Sequence, residues 1–190
     1  MLTRTPIVLA SASPRRQELM RNARIPFVVR PADIPEIPLV GERPQAFAER
    51  MAIEKARAVR AATPQGSILA ADTVVAVEEE ILGKPEDASD AARMLRLLRD
   101  RTHQVITAVC LLSQNFEDVR SETTAVHFTA MTDAEIADYV ANGEPMDKAG
   151  AYAIQGRASR WISKIEGDYY NVVGLPVDLV WRMLREHKVM

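Results

Sequence analysis

One stretch limits the folds open to this chain more than any other: residues 67–85, SILAADTVVAVEEEILGKP. Ile68 to Val77 is apolar enough to read as a core strand, yet Asp72 interrupts it. Glu78, Glu79 and Glu80 then supply a charged turn, and the chain returns toward Gly83-Lys84-Pro85. The flanking sequence alternates strand-like and helix-like segments. Residues 6–10 read as a short buried strand. Ser13-Pro14 opens a helix, with serine as N-cap and proline at the first helical position, and Leu19 and Met20 mark its apolar side. RIPFVVR is a second strand candidate, and the four-proline stretch 31–45 reads as an ordered loop. Residues 44–62 form a helix, with Phe47, Met51, Ala52, Ala56 and Val59 near a 3.6-residue period.

Downstream, residues 87–99 are helical, and 103–113 and 119–129 are β-rich and suited to pair in one sheet. Thr132 and Glu135 form a capping box that opens a helix over 132–142. The segment 143–171 reads as loop-rich, and a final helix occupies about 175–188. This alternation predicts one α/β domain over 1–190: a mixed, partly antiparallel central sheet flanked by helices, with two lobes around a cleft.

Composition excludes some functions. The net charge of −2 and pI near 6.0 argue against a general nucleic-acid binder, as does an aromatic content of only 5%. An anionic partner must therefore be caught by a local cluster of cations. The single cysteine, Cys110, lies in an apolar run and allows no intramolecular disulfide, which suits a reduced, cytoplasmic setting. The N-terminal MLTRTPIVLASAS imitates a secretory signal, but its apolar stretch spans only Ile7 to Ala10 and two arginines follow. No apolar run reaches membrane-spanning length, so no membrane partner is expected.

Polar residues gather at strand edges. Ser11, Ser13, Arg15 and Arg16 follow the first strand, where a helix N-terminus favours phosphate. Two arginines in a first turn oppose the helix dipole unless an anion compensates them; otherwise they are solvated, or paired with Glu18 or another carboxylate. Asp72, costly in a core strand, either bonds to backbone or Thr73 at a bend, or is held there to ligate a hard cation or accept a proton from water. Lys55 and Lys84 are unremarkable alone. GKP is not a P-loop, AGAYAIQG lacks the dinucleotide glycine pattern, and the three histidines are scattered.

Six blocks together resemble the Maf family of nucleotide pyrophosphatases: LASASPRRQEL, AIEKARAV, AADTVVAVEEEILGKPEDASDAARML, HQVITAV, DKAGAYAIQG and GDYYNVVGLP. They stand in family order across roughly residues 6–176. The resemblance implies hydrolysis of nucleoside triphosphates between the α and β phosphates, a divalent cation (magnesium or manganese), an elongated fold with its cleft between two lobes, and a homodimer. It places the catalytic acid at Asp72, phosphate binding at Ser13, Arg15, Arg16, Lys55 and Lys84, and a loop carboxylate, with Asp72 a metal ligand, at Glu36. Arg15, Thr73 and Gln155 resemble the members that prefer dTTP and UTP, with Gln155 suited to read the base. Members acting on 7-methyl-GTP show an aromatic residue where Arg15 stands and glutamine where Thr73 stands. In DIPE the chain departs from the family, which often carries two adjacent acids there. Two alternatives stay open: 7-methyl-GTP as substrate, and a non-catalytic nucleotide sensor that regulates division.

Overall fold

The computed structural model describes residues 6–190. The part of the signal-peptide question that rests on Arg4 therefore lies outside the described residues. Seven strands form one sheet: β1 (Ile7–Leu9), β2 (Phe27–Val29), β3 (Ile68–Val77), β4 (Glu80–Leu82), β5 (Thr102–Leu112), β6 (Glu117–Phe128) and β7 (Ile162–Glu166). Among the described residues six α-helices accompany them: α1 (Pro14–Asn22), α2 (Pro44–Ala62), α3 (Ala88–Leu98), α4 (Asp133–Ala141), α5 (Tyr169–Val173) and α6 (Val177–Glu186). The strand order is β2-β1-β3-β5-β6-β7, with β4 also on β3. The β1 pairings with β2 and β3 are parallel and the remaining pairings antiparallel, so the sheet is mixed.

The topology of β3 makes the cleft. One edge pairs with β5 from Ile68 to Ala76. The other edge is shared: β1 takes Ile68 and Leu69, and β4 takes Val75 to Val77. Between these partners the edge is uncovered, and Asp72 and Thr73 lie in that gap.

Side-chain alternation along β3 divides the core. Ile68, Ala70 and Val74 face α2, packing with Phe47, Met51, Ala52 and Ala56 and with Cys110 of β5. On the opposite face Leu69 and Ala71 meet α1 and α6 through Leu19, Met20, Leu179 and Met183. Further along that face, Val75 and Val77 meet α3 and α4 through Met94, Leu95, Leu98, Ile136 and Tyr139. Thr73 sits at the seam between these last two clusters, which are the cores of the two lobes. Gly150 brings the second lobe onto β3: its φ is +69°, and a Cβ there would meet Val75 side-chain carbons at 2.8 Å.

The helix starts follow the sequence signals. Ser13 caps α1 through the Arg16 N–H with Pro14 next, and Thr132 and Glu135 form both halves of a capping box on α4. The loop-rich reading of 143–171 needs correction, because it contains β7 and the start of α5. The predicted last helix is shorter, since Pro176 stands at the N-cap of α6 and separates it from α5. No helix among the described residues is long and apolar enough to cross a membrane.

Candidate active site

A cleft of about 1010 Å³ opens at the uncovered edge of β3, lined from both lobes. Ser11 and the nine residues that the family resemblance marks line it: Ser13, Arg15, Arg16, Glu36, Lys55, Asp72, Thr73, Lys84 and Gln155.

Asp72 and Lys55 are the buried charged pair, at 6% and 7% exposure. Lys55 projects from the sheet-facing side of α2, and its Nζ lies 2.6 Å from Asp72 Oδ1. The same ammonium lies 2.6 Å from Glu36 Oε1, and Lys84 approaches Glu36 Oε2 at 3.9 Å. Burial works to raise the Glu36 carboxyl, but Lys55, Lys84 and Arg16 outweigh it and hold it below the ordinary value. Asp72 Oδ2 has no hydrogen-bond partner among the described residues, and it is not one of the sealed-off polar atoms. The carboxylate is thus anchored by one oxygen and available at the other. Among the described residues the alternative partners for Asp72, backbone or Thr73, are not used.

Asp72 and Thr73 point to opposite faces of β3, and the second face is organised by Arg16. Its Nε donates to Gly174 O (2.8 Å), and its terminal nitrogens donate to Ser11 Oγ (3.2 Å) and Thr73 Oγ1 (3.0 Å). None of these acceptors is a carboxylate. Burial pulls the guanidinium below its ordinary pKa, while Asp72 and Glu36 act in the opposite sense. Thr73 Oγ1 continues to Thr107 Oγ1 at 2.9 Å, and Thr107 Oγ1 donates to Asn171 O at 2.9 Å. Arg15 instead crosses the cleft to Asp147 at 3.3 Å. Asp147 thus answers Arg15 alone, Arg16 has no carboxylate partner among the described residues, and Glu18 pairs with neither.

Ser13 spends its hydroxyl on the α1 cap, and the residues of that first turn line the cleft. Gln155 is exposed, and its amide makes no hydrogen bond among the described residues. The lining residues that lead into it, Tyr152, Ala153 and Ile154, are neutral. Sequence reasoning gave no role to Asp147, Lys148, Tyr152 or Gly174. The DKAG and AGAYAIQG strings held a signal for the first three. Gly174 acts through its carbonyl, which no side-chain pattern reports.

Fold and cleft together define a class: an α/β protein with a deep inter-lobe groove equipped with cations for a polyanionic ligand. The architecture matches that of the Staphylococcus aureus Ham1 protein, with a TM-score of 0.53 at 15% identity, covering 96% of this chain and 100% of that one. Within that class the chain belongs to the Maf family, whose model, described as Maf-like protein, matches residues 6–187. Relatives named dTTP/UTP pyrophosphatase include that of Koribacter versatilis, 54% identical over 97% of this chain and 95% of the relative. The Symbiobacterium thermophilum protein of the same name is 49% identical over 95% of this chain and 93% of its own.

Proposed function

We propose that this chain hydrolyses dTTP and UTP between the α and β phosphates, releasing the nucleoside monophosphate and pyrophosphate. The observation that carries the reading is Asp72, the one buried carboxylate among the described residues, set with Lys55, Arg16, Arg15 and Lys84 in one cleft. The full-length relatives named for dTTP and UTP supply the substrate class.

The residues divide the work. Arg15 and Arg16 offer forked donors to phosphate oxygens, and Lys55 and Lys84 act as compact charges. The N-terminal turn of α1 adds backbone N–H groups and the positive end of its dipole. Arg15 exchanges Asp147 for phosphate on binding. Asp72 keeps Oδ1 on Lys55 and takes the proton of the attacking water through Oδ2. The cations then stabilise the departing pyrophosphate, so positioning and electrostatics provide the acceleration. Gln155 reads the base: its N–H donates to a pyrimidine carbonyl and its carbonyl accepts the ring N–H.

Glu36 and Asp72 fit a divalent cation. They are hard oxygen donors brought to one point by a shared ammonium, and magnesium commonly uses one or two carboxylates plus phosphate oxygens and water. When bound, magnesium or manganese would supply charge neutralisation and polarisation of the phosphoryl oxygens. The lobes work as one domain, in a cytoplasmic homodimer.

The test is pyrophosphate release from dTTP, UTP, CTP, GTP, ATP and 7-methyl-GTP with magnesium, and again with chelator. Preferential release from dTTP and UTP that chelator abolishes is expected. Preference for 7-methyl-GTP moves the chain to the other subfamily, and release from none of them favours a sensor.

A further inference from the structure

We infer that Tyr139 and Glu144 are positioning residues for nucleobase selection, clamping both ends of the turn that carries Gln155 into the cleft. The inference rests on the reading of Gln155 given above. The turn is closed by the Gly156 N–H donating to Ala153 O at 3.0 Å, so Gln155 occupies its tip. At its entrance the Ala153 N–H donates to Tyr139 Oη at 3.3 Å. At its exit the Arg157 N–H donates to the Glu144 carboxylate, at 3.1 Å to Oε1 and 3.3 Å to Oε2. The two ends meet in one relay, because the Tyr139 hydroxyl donates to Glu144 Oε1 at 2.7 Å.

Each member of the relay is itself held. Tyr139 is fully buried on α4, with Trp161 edge-on at 5.4 Å, and burial together with Glu144 keeps its phenol protonated and donating. The Glu144 backbone is tied at both groups: its N–H donates to Asn142 Oδ1 and its carbonyl accepts from Lys148 Nζ, each at 2.8 Å. Arg157 is anchored again through Asp138 at 2.6 Å.

Gly156 completes the device by what it lacks. A Cβ there would stand 2.0 Å from Glu144 Oε1 and 2.5 Å from Cδ, so the absent side chain is the space the carboxylate fills. The φ of Gly156 is −104°, ordinary for any residue, so packing alone explains the glycine. With no hydrogen-bond partner among the described residues, the Gln155 amide depends on this turn for its placement. A misplacement of about 1 Å in a positioning group is enough to cost discrimination.

The test uses Glu144→Ala, Glu144→Gln, Tyr139→Phe, Gly156→Ala and Gln155→Ala in the full chain, with kcat and KM measured for UTP and GTP. Glu144→Ala is expected to raise KM for UTP about tenfold and lower the UTP-over-GTP preference similarly, with kcat within about twofold. Gly156→Ala should do the same by expelling the carboxylate, and combining Glu144→Ala with Gly156→Ala should be no worse than either single substitution. Glu144→Gln should restore most of the preference, since its carbonyl oxygen still accepts from both donors. Tyr139→Phe keeps the buried ring and should lose preference by a smaller factor, which keeps the test open if Glu144→Ala fails to fold.

Folded variants at Glu144, Tyr139 and Gly156 that keep the wild-type preference overturn the inference. If Gln155→Ala alters the preference while those variants do not, the base reading stands and the clamp falls. If they alter it and Gln155→Ala does not, the clamp stands and another atom of the turn reads the base.

Discussion

The two linings of the cleft are built on opposite terms. The charged lining gathers Asp72, Lys55, Glu36, Arg16, Arg15 and Lys84; all but Arg16 stand in ion pairs with one another or with Asp147, and Arg16 is held by neutral acceptors. The neutral lining of Tyr152, Ala153, Ile154 and Gln155 offers an unpartnered amide on a turn held from behind. The difference separates two tasks. A polyphosphate tail is recognised by cations that exchange internal partners for phosphate, whereas a base is recognised by hydrogen bonds that demand a rigid frame. Substitutions in the charged lining should therefore change turnover for every nucleotide, and those in the neutral lining should change the ratios between nucleotides.

The largest effect falls on the acid. Asp72→Asn should lower kcat for UTP about a thousandfold while leaving the dissociation constant for UTP within about threefold, measured by steady-state kinetics and calorimetric titration. Near wild-type turnover would remove Asp72 from the chemistry. Next, Arg15→Ala or Lys84→Ala should lower kcat/KM about a hundredfold with KM and kcat both affected, and by the same factor for UTP and GTP. A change confined to one nucleotide would dissolve the division between the linings. Gln155→Ala should reduce the preference of UTP over GTP about tenfold with little change in kcat, and an unchanged ratio would end its part in reading the base.

The smallest effect on turnover comes from behind the neutral lining. His103 is buried against Tyr152, with Nε2 2.8 Å from the phenol oxygen, and burial, helped by His127, pushes its pKa down to about 3. The unfolded chain takes up this proton near pH 6.5 and the folded chain only near pH 3, so stability falls as pH drops through that window. At pH 4.5 the loss is about 2–3 kcal/mol. Denaturant melts of wild type and His103→Phe between pH 7 and 4.5 should show the variant's stability falling less steeply; parallel curves would mean His103 titrates normally.

Local rules made the framework readable. Pro44 and the apolar period from Phe47 to Val59 give α2 its observed span, and Ser13-Pro14 gives the start of α1. β7 escaped because ISKIE is a short edge strand with partly exposed positions, formed through its pairing with β6. Asp72 stood out as an acid in an apolar strand, but the burial of Lys55 did not, since a lysine on an amphipathic helix is ordinarily solvated. Its environment is set by Asp72, 17 positions away. Arg15 meets Asp147 across 132 positions, a pairing that only the closed topology brings about. The Glu144 clamp was likewise invisible, because it bonds to backbone amides and to space left by a glycine.

In the proposed mechanism Asp72 directs water at the α phosphorus while the basic cluster holds the leaving pyrophosphate. The mechanism is tested most directly by hydrolysing UTP in oxygen-18 water and weighing both products by mass spectrometry. Attack at the α phosphorus puts one heavy oxygen in UMP and none in pyrophosphate. Label in pyrophosphate, or UDP and phosphate as the products, would contradict it.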